Sequence, residues 1–242
     1  MSWRPLQNPG YNLRVRHEAV IFDLFGTLVQ SFWEGHEDCL SDMASALGVS
    51  PEDFARAWSE TCGERLVGTI PTVADNLRII AKALGVNPDE GRIKDAVEIR
   101  EGFVRGRLTP RPESPFVLKE LRARELSLGL MSDCSPEVPR LWEETSLSGF
   151  FDATAFSSII GLRKPNPLMY EALCDALGVR PEQCLYVGDG GNNELQGAAA
   201  LGMTAILVHH SDNENLDPYT TEAKTWQGPR IEDLREVLRF LE

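Results

Sequence analysis

Ala19-Val20-Ile21-Phe22-Asp23-Leu24-Phe25-Gly26-Thr27-Leu28 is the stretch whose reading decides the fold. Four apolar residues in succession, two of them β-branched, predict a strand covered on both faces, as in a parallel sheet. Asp23 closes the run, and Gly26 lets the chain turn sharply just after it. An acid at the carboxyl end of a parallel strand stands where open α/β sheets bind their ligands. An Asp that merely caps the following turn has the same local pattern. Taken alone, the segment supports both readings about equally.

Three later segments favour the first. Leu126-Ser127-Leu128-Gly129-Leu130-Met131-Ser132-Asp133 predicts a second apolar strand ending on a hydroxyl. Gly161-Leu162-Arg163-Lys164-Pro165-Asn166-Pro167 sets a lysine in a proline-stiffened loop before a helix. Cys184-Leu185-Tyr186-Val187-Gly188-Asp189-Gly190-Gly191-Asn192-Asn193-Glu194 predicts a third strand running into a glycine-rich acidic turn. Carboxylate, hydroxyl, ammonium and acidic turn, each at or near a strand end, compose one site.

Between these segments the periodicity divides the chain in two. From Trp33 to Leu108 it is helical throughout, with helices expected at 33–47, 51–67, 72–84 and 88–107. Four helices with short connections predict a bundle. Pro110-Arg111-Pro112 marks the end of that region. Helices at 114–125, 136–145, 167–177 and 194–201 then alternate with strands at 127–131, 151–157, 184–187 and 204–208, and 231–241 is expected to close the chain as a helix. Such alternation predicts a doubly wound parallel sheet. The recurring Ala-Leu-Gly-Val pattern at Ala46, Ala83 and Ala176 is a helix connector, in which Gly ends one helix and Pro-acid opens the next.

The formal charge is −13, from 24 Lys+Arg against 37 Asp+Glu. Such a surface repels phosphodiester backbones, so a nucleic-acid partner is not expected. Five cysteines, none in C-x-x-C spacing, suggest reduced thiols in a cytoplasmic protein. No apolar run reaches the length of a membrane span, and the first residues show no secretory signal. Residues before Arg16 are expected to form a loosely ordered arm.

The four segments resemble, in order and separation, the motifs of the haloacid dehalogenase superfamily: Asp-Leu-Phe-Gly-Thr-Leu from Asp23, Ser132, Gly-x-x-Lys-Pro-x-Pro around Lys164, and Gly-Asp-Gly-x-x-Asn-Glu from Gly188. The resemblance implies a Rossmann-like α/β core from residues 1–29 and 110–242, with a small helical-bundle cap at 30–109. It further implies that Asp23 is a nucleophile that takes up a phosphoryl group. Asp23 and Asp189 would share one Mg²⁺ with the backbone carbonyl of Phe25, and Glu194 would act through water or complete the acidic shell. Ser132 and the amides near Phe25 and Gly26 would donate to phosphate oxygens, while Lys164 offsets the charge. A small phosphorylated metabolite is the expected substrate.

One position departs from the phosphatase pattern. Phosphatases of this superfamily usually carry a second Asp two residues after the nucleophile, and here that residue is Phe25. Loss of a general acid costs about 10²–10⁴-fold on poor leaving groups, which points to aryl or acyl phosphates; Asp133 is a conceivable substitute acid. Haloacid dehalogenases also lack that Asp and use no metal, so a 2-haloacid dehalogenase is the alternative, although Asp189 is the residue a metal-dependent enzyme keeps. A non-catalytic member binding a phosphometabolite or a protein is the third reading. Thr27 is expected to cap the turn through its hydroxyl. Nothing in the spacing of Arg65, Arg111 or His209 raises them above surface or loop residues. Linkers at 29–32 and 109–112 are expected to hinge the cap over Asp23, and the oligomeric state is not legible.

Overall fold

Six parallel strands, β1 (Ala19–Asp23), β2 (Ser127–Ser132), β3 (Ala153–Phe156), β4 (Cys184–Gly188), β5 (Thr204–Val208) and β6 (Arg230–Ile231), lie in the order β3-β2-β1-β4-β5-β6. They belong to a computed structural model that describes residues 17–210 and 221–241. β1 is buried at every position, and its side chains divide by the alternation of a strand. Val20 and Phe22 join Leu118, Leu121, Leu141 and Trp142 on one face of the sheet. Ala19 and Ile21 join Met169, Leu173 and Leu195 on the other. An apolar layer on each face accounts for the unbroken hydrophobic run that marked β1 in the sequence.

Between β1 and β2 the chain forms α1 (His36–Leu47), α2 (Pro51–Glu60), α3 (Cys62–Leu66), α4 (Val73–Ala83), α5 (Glu90–Arg107) and α6 (Ser114–Ala123). α1, α2, α4 and α5 build an apolar cluster of their own around Met43, Leu47, Phe54, Trp58, Leu77 and Ile80. Side chains at the helix starts accept backbone N–H groups: Thr72 Oγ1 from Asp75 at 3.0 Å and Asp89 Oδ1 from Arg92 at 3.0 Å. Thereafter come α7 (Glu137–Trp142), α8 (Ser157–Ile160), α9 (Pro167–Leu177), α10 (Glu194–Ala200) and α11 (Thr221–Thr225). The α/β fold is therefore a six-stranded parallel sheet with an inserted helical region, as the sequence led one to expect.

Several element boundaries differ from the sequence expectation. The helix expected at 51–67 breaks at Thr61, whose hydroxyl turns back to the carbonyls of Ala57 and Trp58. α1 starts at His36 because Gly35 is left-handed, with φ 74°. α7 stops at Trp142, short of the expected 145. The closing helix is also corrected. Ile231 pairs into β6, and Leu234–Leu241 is a 3₁₀ helix entered through a turn in which Glu236 accepts the N–H groups of Glu232 and Asp233. α8, α11 and β6 were not expected. The N-terminal arm lies outside the described residues.

The two linkers meet. Val29 and Pro110 form an antiparallel bridge, Gln30 N–H donates to the Thr109 carbonyl at 3.3 Å, and Arg111 N–H to that of Leu28 at 3.0 Å. Ser114 Oγ donates to the same Leu28 carbonyl at 2.8 Å. Among the described residues no helix is long and apolar enough to cross a membrane.

Candidate active site

From β1 the chain continues to β2 and β3 on one side of the sheet and to β4 and β5 on the other. The strand order thus reverses beside β1, where such sheets open a crevice at their carboxyl ends. Asp23 is the last residue of β1, Ser132 the last of β2, and Asp189 follows β4 directly. Lys164 reaches the same place from the loop before α9, and Glu194 from the first position of α10. All but Glu194, which lies beneath them, line a cavity of about 960 Å³ between the sheet and the helical insert.

Lys164 is the centre of the cluster. Its Nζ lies 2.6 Å from Asp23 Oδ1 and 2.5 Å from Glu194 Oε2, with all three side chains buried. Burial opposes a charged lysine, but the carboxylates of Asp23, Glu194 and Asp133 outweigh it and raise the Lys164 pKa well above normal. Burial pushes the Asp23 carboxyl up to about 7, with Lys164 pulling it back. Glu194 accepts from Gly190 N–H through Oε1 and from the Tyr186 hydroxyl through Oε2. A Cβ on Gly188 would stand 2.2 Å from Glu194 Oε1, so only glycine leaves room for that carboxylate beneath the strand end. Asn192 and Asn193 pay for the turn that delivers it, with left-handed φ of 53° and 56°.

Carboxylate oxygens of Asp23, Asp189 and Glu194 lie within 4.8 Å of one another. Asp23 Oδ2 is buried without a hydrogen-bond partner, and it is the atom a cation would satisfy. Three hard oxygen donors with one orphaned among them fit a small divalent cation. Both Glu194 oxygens already accept hydrogen bonds, which fits a role through water rather than direct ligation.

Asp133, raised as a substitute acid, borders the cavity with both oxygens occupied. Oδ1 accepts the backbone N–H of Lys164 at 3.0 Å, while Oδ2 accepts from Asn192 Nδ2 at 3.3 Å and lies 3.6 Å from Arg163. Burial raises its pKa, yet these donors hold it as an acceptor that ties three loops together. Phe25 is half-buried, with its ring 4.9 Å from that of Phe32.

Two expectations are corrected here. Gly26 N–H, expected to donate to a ligand, turns back to the Val29 and Gln30 carbonyls at 3.2 and 3.3 Å because the turn closes on itself. The Thr27 hydroxyl is buried with no partner, so it does not cap the turn.

A third correction concerns the far wall. Arg65 is buried and lines the cavity, because the break at Thr61 turns α3 inward. Arg111 is buried as well. Arg100, which sequence reasoning passed over, is buried beside Arg65 and pairs with Glu137 at 2.8 Å. The available signal was the i, i+3, i+7 spacing of Trp58, Thr61 and Arg65, which an unbroken helix would set on one face. Single arginines in a helical region carry no other mark.

Known proteins bear on these observations. The family described as haloacid dehalogenase-like hydrolase matches residues 17–202. The chain is 26% identical over 234 residues to a glyceraldehyde 3-phosphate phosphatase of Methanopyrus kandleri, covering 93% of this chain and 98% of that one. It is also 26% identical over 204 residues to an (S)-2-haloacid dehalogenase of Xanthobacter autotrophicus, covering 82% and 78%. A HAD phosphatase from Thermococcus onnurineus shares the fold at TM-score 0.62 and 24% identity, over 93% and 97% of the two chains. With both phosphatases and dehalogenases among its relatives, and a family match over most of its length, the chain belongs to the haloacid dehalogenase-like hydrolases.

Proposed function

We propose that the chain is a metal-dependent phosphohydrolase for a small substrate, with Asp23 as nucleophile, and that residues 30–109 act as its cap. The observation that carries this reading is the acidic cluster of Asp23, Asp189 and Glu194 with its orphaned Asp23 oxygen. A dehalogenase attacking carbon has no use for a third carboxylate beside its nucleophile, since like charges there only destabilise the site.

Asp23 and Asp189, with the Phe25 backbone carbonyl and with Glu194 through water, would hold Mg²⁺. When bound, the cation cancels the repulsion between a carboxylate nucleophile and an anionic phosphoryl group. Asp23 attacks phosphorus, forming an aspartyl-phosphate and breaking the bond to the leaving oxygen; water then hydrolyses the acyl phosphate and frees Asp23. Lys164, fixed between Asp23 and Glu194, stays charged throughout and lies beside the accumulating negative charge. Ser132 Oγ donates to a phosphoryl oxygen from the end of β2.

No proton donor stands at Phe25, and Asp133 is held by donors on both oxygens. The leaving group must therefore depart without much help, which favours aryl or acyl phosphates over alkyl ones.

A second reading, 2-haloacid dehalogenation, rests on Phe25 and on the dehalogenase relatives. Release of phosphate and of halide, each measured with Mg²⁺ and with EDTA, separates the two. Phosphate release abolished by EDTA and by Asp23→Asn supports the proposal. Halide release indifferent to EDTA overturns it.

A further inference from the structure

The helical wall of the cavity holds a cation that the proposed chemistry leaves unused. Arg65, on α3, is only 4% exposed, and its guanidinium carbon lies 3.9 Å from the centre of the Trp58 ring. Nη1 donates to the Trp58 carbonyl at 3.0 Å and to Thr61 Oγ1 at 2.9 Å, both neutral acceptors. Nε is buried without an acceptor, and among the described residues no carboxylate stands within ion-pair distance. The neighbouring Arg100 shows the contrast, for Glu137 neutralises it and Ser135 Oγ accepts from it at 3.1 Å. A buried guanidinium without a counter-ion is costly unless an anion arrives from outside.

The surroundings agree. Burial, then Arg100 and Arg65, holds His36 down at about 4, so it adds no charge at neutral pH. Burial and Arg100 lower Arg65 itself to about 10, with Cys62 and Glu137 pulling the other way from beyond ion-pair distance. Among the described residues at this end of the cavity, Arg65 and Arg100 face the single buried carboxylate of Glu137, which Arg100 pairs, while the cavity's buried acids Asp23 and Asp133 lie at the sheet end beside Lys164. Glu37 and Asp38 also border the cavity, but both are exposed, where water screens them. Aromatic rings connect the pocket to the nucleophile's side: Phe25 packs 4.9 Å from Phe32, and the Arg100 guanidinium lies 4.9 Å from Phe32 and 5.2 Å from Trp58.

We infer that Arg65 binds a carboxylate of the substrate. Resting on the phosphohydrolase reading, this names the substrate class as an aromatic-bodied phosphate ester that also carries a carboxylate. The guanidinium edge that Nη1 leaves free donates charge-assisted hydrogen bonds to that carboxylate, while the rings enclose the body between the two anionic ends.

Calorimetric titration in Mg²⁺ tests this with three probes: benzylphosphonate, 4-(carboxymethyl)benzylphosphonate and phenylacetate. The wild-type chain should bind the carboxylated phosphonate about 10–100-fold more tightly than benzylphosphonate. Arg65→Met should erase that advantage and leave benzylphosphonate affinity within about twofold, and Arg65→Lys should restore part of it. Should Arg65→Met fail to fold, Arg65→Gln, which keeps a donor for the Trp58 carbonyl, serves in its place. Equal affinities in the wild type, or an advantage that survives loss of the guanidinium, overturns the assignment. If benzylphosphonate does not bind at all, the phosphohydrolase reading fails by itself. Phenylacetate then decides on Arg65: binding lost with the guanidinium upholds the carboxylate site, and binding that is absent or unaffected refutes it.

Discussion

Arg100→Met should unfold the chain far more readily than its chemistry suggests. Arg100 on α5 and Glu137 on α7 are 1% and 5% exposed, and the pair joins the helical insert to the sheet side of the molecule. Methionine replaces most of the apolar stem, but Glu137 is left in a dry site without its hydrogen-bonded partner, with Arg65 the remaining cation nearby and beyond ion-pair distance. Breaking a buried pair in this way costs about 3–5 kcal/mol. The guanidinium also lies 4.9, 5.2 and 5.6 Å from the Phe32, Trp58 and Phe103 rings, contacts worth about 1 kcal/mol or more together when desolvated. At about 2–4 °C per kcal/mol for a chain of this size, the melting temperature should fall by about 8–24 °C. Glu137→Met should cost a similar amount, since it strands Arg100. The double variant should lie within about 1–2 kcal/mol of wild type, because an apolar pair removes both desolvation penalties. Urea denaturation of all four proteins gives the coupling directly, expected at about 4 kcal/mol or more. A single variant within about 1 kcal/mol of wild type, or additive losses, would show that the pair is solvated and does not hold the insert to the sheet.

Other outcomes follow from single contacts. Gly68 and Gly85 share a left-handed φ, 72° and 71°, but a Cβ at Gly68 would stand 2.0 Å from the Ser158 carbonyl oxygen while Gly85 has open space. Gly85→Ala should therefore cost about 1 kcal/mol and Gly68→Ala at least about 2; equal losses in chemical denaturation would mean that the insert yields freely against α8. His36 is held at about 4 in the folded chain against 6.5 unfolded, so the unfolded state binds more protons between those values. Stability should fall as pH drops from 6.5 to 4, by up to about 3 kcal/mol, and His36→Gln should flatten that slope in urea titrations. Phe25→Asp should raise turnover of alkyl phosphates by about 10-fold or more and leave aryl phosphates within a few-fold; no gain on alkyl substrates would show that the missing acid is not what limits them.

The sheet was legible because β1, β2 and β4 are buried on both faces and so read as continuous apolar runs. Their strand ends carried Asp23, Ser132 and Asp189, which the structure brings to one cavity with Lys164 from the loop before α9. Glu194 was legible as an acid near the site but not in its surroundings. Its bonds to Lys164 and Tyr186 depend on two left-handed asparagines and on the missing side chain of Gly188. Thr61 hid the break between α2 and α3, because a hydroxyl bonding back to its own helix looks in sequence like any helical threonine. Arg65 was lost with it, since its burial follows from that break. The C-terminal 3₁₀ helix keeps an apolar spacing compatible with an α-helix, so periodicity could not tell the two apart.

The bridged linkers have a consequence for how this chain can vary. Leu28 and Arg111 are already one hydrogen bond apart, so the sheet domain meets the insert as though it were a short turn. Loop-closure entropy grows only slowly with length, about 0.6 kcal/mol for each doubling. With its ends pinned, the intervening chain can be lengthened or shortened in its exposed connections at little cost to the strands beneath, so long as the Arg100–Glu137 pair and the close approach of Gly68 to Ser158 are kept. The strands and the outer connections of the insert can therefore change at separate rates, the strands held by burial on both faces and the connections free wherever they touch neither strand nor strand end.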